Sequence, residues 1–95
     1  MEIRTSGIHH LAIRVTDYER AKHFYIDTLG FKKIMEQPGL CLFLAGSTPI
    51  GILGSENKTY VGDQFDPYRV GLDHLAIGCE NKQDLQAIAE ALMPA

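Results

Sequence analysis

Two histidines, His10 and His74, stand at the same place in a phrase that the chain uses twice. Gly7-Ile8-His9-His10-Leu11-Ala12-Ile13 returns as Gly71-Leu72-Asp73-His74-Leu75-Ala76-Ile77, with five of seven residues identical. Imidazole is a good ligand for Fe²⁺, Mn²⁺, Ni²⁺ or Zn²⁺, and carboxylates complete such sites. A pair of histidines contributed by two equivalent segments could therefore hold part of a divalent ion. The same pair could also be inherited from a duplication and be hydrogen-bonded in a metal-free binding protein. His9 alternates to the other side of the segment and reads as structural, and His23 as solvent-exposed.

The offset, 74 − 10 = 64, persists downstream. Asp17 maps onto Asn81, both residue types that cap helix N-termini through a side-chain oxygen. Ala21, Phe24 and Tyr25 map onto Leu85, Ile88 and Ala89, the i, i+3, i+4 spacing of one helix face. The repeat is a strand followed by a helix.

The elements follow in order. Residues 8–15 alternate, with Leu11, Ile13 and Val15 on one face and His10, Ala12 and Arg14 on the other, which predicts a strand. Thr16-Asp17-Tyr18-Glu19 has the form of a capping box. The helix after it should bury Ala21, Phe24, Tyr25, Thr28 and Leu29, and Gly30 suits an αL C-cap. Three strands are expected at 31–36, 40–45 and 50–53, separated by Gln37-Pro38-Gly39 and Gly46-Ser47-Thr48-Pro49, as an antiparallel meander. The apolar run 40–45 suits a central strand buried on both faces. Residues 55–70 read as a linker loop, whose Tyr60, Phe65 and Tyr68 could line a cleft. A strand at 72–79 and a helix at 81–92, with Leu85, Ile88, Ala89 and Leu92 inward, repeat the opening. The fold class is α+β.

The 95 residues suit one domain, with no room for a second core. A net charge of −3 without clustered Lys or Arg argues against nucleic acid as a partner. No apolar run approaches the ~20 residues of a bilayer span. The N-terminus lacks a secretory pattern, and Cys41 and Cys79 read as two buried free thiols, so a cytoplasmic protein is expected.

The run from His10 to Phe31, His-Leu-Ala-Ile-Arg-Val-Thr-Asp-Tyr-Glu-Arg-Ala-Lys-His-Phe-Tyr-Ile-Asp-Thr-Leu-Gly-Phe, resembles the opening of the vicinal oxygen chelate superfamily. That group includes glyoxalase I, extradiol dioxygenases and bleomycin-resistance proteins. Gly71 to Ile77 resembles the start of its second module. The resemblance implies paired βαβββ modules around a cleft: residues 8–54 as the first module, 55–70 as a linker, and 71–92 as the β-α start of the second. This chain then looks C-terminally incomplete, with strands expected after Ala95 or supplied by a partner chain.

The resemblance further implies that metal-dependent members take a His from the first strand of a module and a carboxylate from the fourth. His10 and His74 match the histidines. Gly51 best matches the carboxylate position, no acid occurs in 50–53, and Glu56 is the nearest. Arg14 shares the parity of His10 and could meet an anionic substrate or form a surface ion pair. The function implied is a divalent-metal-dependent lyase or dioxygenase acting on a small oxygenated substrate. The alternative is a metal-free protein that sequesters a small molecule, and a homodimer is the expected assembly. A ferredoxin-like reading fails for want of a second helix before Val70.

Overall fold

The computed structural model describes residues 1–55, 60 and 62–92. Its frame is a four-stranded sheet in the order β1-β4-β3-β2, formed by β1 (Leu11–Val15), β2 (Lys32–Gln37), β3 (Leu40–Ala45) and β4 (Thr48–Gly54). β4 runs antiparallel to β3 and parallel to β1, with Leu11 opposite Ile50 and Val15 opposite Gly54. The β2–β3–β4 meander is as expected. Gly39 (φ 74°) closes its first turn after Pro38. Gly46 (φ 61°) takes the first central position of a two-residue hairpin, where type II′ geometry demands positive φ. β1 begins at Leu11 rather than at residue 8, because the next rung would meet Pro49, which has no N–H to extend the ladder.

One face of this sheet carries the core. Phe43, Ile50 and Ile52 are buried there with Leu11, Ile13, Val15, Tyr25, Ile26 and Phe31 packed around them. Phe43 is stacked by Tyr25 and Phe31 at ring-centroid distances of 5.1 and 4.9 Å. Period two in β1, β3 and β4 sends these residues to the helix side. Leu40, Leu42 and Leu44, on the opposite face of β3, are only half-buried. The expectation of a strand buried on both faces thus holds for the helix-side face alone.

Helix α1 (Tyr18–Lys22) starts where expected and is capped by Asp17, the counterpart of Asn81, whose carboxylate accepts from the Arg20 N–H at 3.1 Å. Thr16 is not the capping residue. The helix then widens into a π-helical stretch, His23–Thr28, in which Leu29 N–H reaches Phe24 O, five residues back. The wider turn rotates the buried stripe. Ile26 enters the core and Phe24 turns to solvent, so the expected α-helical stripe is corrected at those two positions. Gly30 (φ 80°) ends the helix in the left-handed conformation expected of it. Lys22 ties α1 to β2 through Glu36 at 3.1 Å, and Lys33 meets the same carboxylate. Hydrogen bonds from Lys33 and then Lys22 hold the Glu36 carboxyl below its ordinary range.

The second copy behaves differently. Helix α2 (Lys82–Leu92) forms, capped by Asn81 Oδ1 accepting from Asp84 N–H at 2.8 Å. Residues 72–79, expected as a strand, form no strand ladder. Alternation can assign side chains to faces, but it cannot supply the neighbouring backbone that a strand's N–H and C=O groups require. Ile88 is half-buried, whereas Leu85, Ala89 and Leu92, expected inward, are exposed. No helix among the described residues is long and apolar enough to cross a membrane.

Candidate functional site

His10 stands one residue before β1, and His74 lies in the extended segment before α2; both are exposed. Each is engaged through Nδ1 by the residue that precedes it. His10 Nδ1 lies 2.8 Å from His9 Nδ1, with the rings edge to face, and His74 Nδ1 lies 2.7 Å from Asp73 Oδ1. Neither Nε2 takes part in a hydrogen bond among the described residues. An imidazole held at one nitrogen and free at the other is the state in which it serves as a metal ligand. Each histidine, taken by itself, could thus offer Nε2 to a divalent ion, but no hydrogen bond or ring contact among the described residues joins the two.

No assembled ligand set surrounds either histidine. Among the described residues no group of three or more His, Cys, Asp and Glu could hold a metal ion. Gly51 sits in the middle of β4, between Ala12 of β1 and Leu42 of β3. A Cβ there would lie 3.0 Å from Leu42 Cδ2, 3.8 Å from Ala12 Cβ and 3.8 Å from the Leu11 carbonyl oxygen, so the position is flanked by two apolar side chains. Glu56 lies outside the described residues.

Arg14, exposed at the end of β1, makes no ion pair among the described residues. Its Nη1 donates to Gly54 O at 2.7 Å, closing the end of the β1–β4 ladder. Together with Arg20, Thr16, Gln64 and Phe65 it lines an open cleft of about 780 Å³ beside β1. One of the three loop aromatics thus does line a cleft. Arg20 carries no periodic or motif signal that would have marked it; only the approach of residues 62–65 to β1 brings it there. A second cleft, of about 370 Å³, places Leu75 and Ile77 beside Ile13, Tyr25, Phe43 and Ile50. The apolar residues of the repeated phrase therefore face the helix-side core, as their parity requires. His23, exposed as expected, pairs through Nδ1 with Asp27 at 2.9 Å along the helix.

Comparison with known proteins follows the same lines. A protein from Bacillus subtilis (strain 168), YwkD, itself uncharacterized, is 55% identical over 77 residues, covering 74% of this chain and 59% of its own length. The chain thus spans less than two thirds of that relative. Lactoylglutathione lyase from Agrobacterium tumefaciens shares the fold at a TM-score of 0.60 and 19% identity, over 95% of this chain and 70% of that one. A putative glyoxalase family protein from Bacillus anthracis does so at 0.59 and 20%, over 95% and 73%. The model of the Glyoxalase/Bleomycin resistance protein/Dioxygenase superfamily matches residues 7–95, starting at the glycine that opens the first copy of the repeated phrase, and the chain belongs to that superfamily.

Proposed function

We propose that this chain builds a small-molecule site in which His10 and His74 ligate one divalent ion, Fe²⁺, Mn²⁺, Ni²⁺ or Zn²⁺, in a cytoplasmic lyase or dioxygenase. The observation that carries this reading is the shared state of the two rings, each held at Nδ1 by its preceding residue and without a hydrogen bond at Nε2 among the described residues. The lactoylglutathione lyase among the fold neighbours supports the lyase branch by analogy of fold only. A bound ion would polarise a carbonyl or enediolate oxygen, or bind dioxygen, at positions the protein leaves open. The acid that completes the ligand set comes from outside β4. Metal content of untagged protein, measured by elemental analysis after loading with Mn²⁺ or Zn²⁺, tests the assignment. His10→Ala and His74→Ala should each bind less metal than the parent, and unchanged content in both variants rules the site out.

A second reading is favoured by the hydrocarbon around Gly51: a metal-free protein that sequesters a small molecule. The cleft between Arg14, Arg20 and Phe65 offers two cations and an aromatic ring to a planar or anionic ligand. Binding that survives a chelator and fails in Arg20→Ala would establish this reading over the first.

A further inference from the structure

Between the two halves of the chain lies apolar space that neither the paired histidines nor the arginines line. One cleft, of about 370 Å³, has Ile13, Phe43 and Ile50 on its sheet side and Leu75 and Ile77 across from them. The next, of about 420 Å³, runs between Leu29 and Phe31 of the first half and Ile77, Leu85 and Ile88 of the second. Ile77 belongs to both, so the two clefts adjoin. Charged residues line only the second, and both are acids, Glu80 and Asp84. We propose that the adjoining clefts are one binding site for an elongated apolar molecule with a cationic head, its body against Leu75, Ile77 and Leu85 and its head beside Glu80 and Asp84.

Each volume falls in the range of ordinary ligand pockets, roughly 300–1,000 Å³. Walls of Leu, Ile and Phe give water few partners, so a hydrocarbon body can fill such space without displacing hydrogen bonds. Charge then selects the head. Glu80 and Asp84 are exposed, and neither makes an ion pair among the described residues. Lys82 lies between them in sequence but lines neither cleft. The N-terminal end of α2 is positive by the equivalent of about half a charge, which favours an ionised Asp84 and offsets only part of two carboxylates. A carboxylate or phosphate head would meet two like charges. An ammonium at this open rim keeps part of its hydration and gains both attractions. Each cleft has walls in both halves, so the ligand lies between them rather than on the outer face of the second copy. The site uses none of His10, His74, Arg14 and Arg20, and it stands or falls independently of metal binding and of the arginine cleft.

Octylamine, octan-1-ol and octanoate share one chain and differ in head charge, and each can be titrated into the full chain at pH 7. Methyl ¹H–¹³C spectra should show shifts at Ile50, Ile77 and Leu85. Octylamine should bind roughly two- to tenfold more tightly than octan-1-ol, the size expected of two exposed ion pairs, and octanoate should bind weakest. Glu80→Gln combined with Asp84→Asn should bring octylamine down to the affinity of the alcohol and leave the alcohol unchanged. Both positions are exposed, so the amide spectrum of that variant should stay that of the parent. Saturating octylamine should also slow alkylation of Cys79 by iodoacetamide, because that thiol lines the second cleft. The proposal is overturned if no probe shifts these methyls, if octanoate binds as tightly as octylamine, or if the amine's advantage survives the double substitution. An octylamine affinity that falls as protein concentration rises overturns it as well, since a second copy of the chain then occupies the cleft.

Discussion

The two cysteines show how far a residue's chemistry depends on the segment around it. Cys41 is fully buried on the helix side of β3, and burial, followed by the nearby Glu36 charge, pushes its thiol above the ordinary range. Its thiolate is disfavoured and its path to solvent closed, so it should be inert in the folded protein. Cys79 was expected to be buried as well, in a strand equivalent to β1. That ladder does not form, and its thiol is exposed. A disulfide exchange reagent at neutral pH should therefore titrate one thiol per chain at once and the second only after unfolding. Cys79→Ser should abolish the fast phase and leave the slow one. Two fast thiols would show that β3 opens readily, and none would show that Cys79 is covered. At this scale the sequence was a partial guide: both histidines were marked by repetition, whereas the Nδ1 partners were not, because a contact between adjacent residues contradicts strict alternation and exists only where the backbone leaves the strand.

Among the elements, the first module was legible nearly throughout, since each of its pieces announces itself locally. Asp17 caps, Gly30 terminates, Gly39 and Gly46 turn, and apolar alternation does the rest. The π-helical stretch was not legible, because its i to i+5 bonds use the same residue types as an α-helix, and its only trace is the exchange of Phe24 for Ile26 in the core. The contact between α1 and β4 yields a sharper test. A Cβ on Gly54 would lie 3.2 Å from Tyr18 Cβ, a backbone-anchored atom that can yield only if α1 moves. Tyr18 is already constrained there: its hydroxyl is buried without a hydrogen-bond partner among the described residues, and burial pushes its pKa above the ordinary value. At Gly51 the obstacle is the tip of Leu42, a rotatable methyl. Gly54→Ala should thus destabilise by about 1–3 kcal/mol, as overpacking does. Gly51→Ala should change stability by less than about 1 kcal/mol, the added methyl being offset by a better strand propensity. Urea unfolding followed by circular dichroism gives both values, and equal costs would show that α1 is not seated on β4 as described.

The whole chain is larger than its length requires. Its radius of gyration is 15.2 Å, against about 12 Å for a compact domain of this size. Its accessible surface is 8180 Å², where a folded monomer would show about 5,500 Å². The excess exceeds the roughly 800 Å² that each partner buries in a standard interface. Much of it is apolar and concentrated in the second copy: Leu72, Leu75, Ile77 and Leu85 are all exposed. β1 adds to this, because it pairs with β4 on one side and leaves its other edge without a strand among the described residues. Hydrophobic periodicity in residues 72–92 marks an apolar stripe but not the surface that would cover it, and Leu85, Ala89 and Leu92, expected inward, are exposed, which is why the second copy was the least legible part of the fold. At about 25 cal/mol per Å² of apolar area, covering a third of that excess would contribute at most on the order of 20 kcal/mol before association costs. The expected outcome is a homodimer of this chain at micromolar concentration, seen by sedimentation velocity. Ile77→Glu combined with Leu85→Glu should shift it to monomer by placing charges on the covered face. A parent chain that sediments as a monomer and scatters with a radius near 12 Å would show that the second copy folds back onto its own sheet, and the dimer would be excluded.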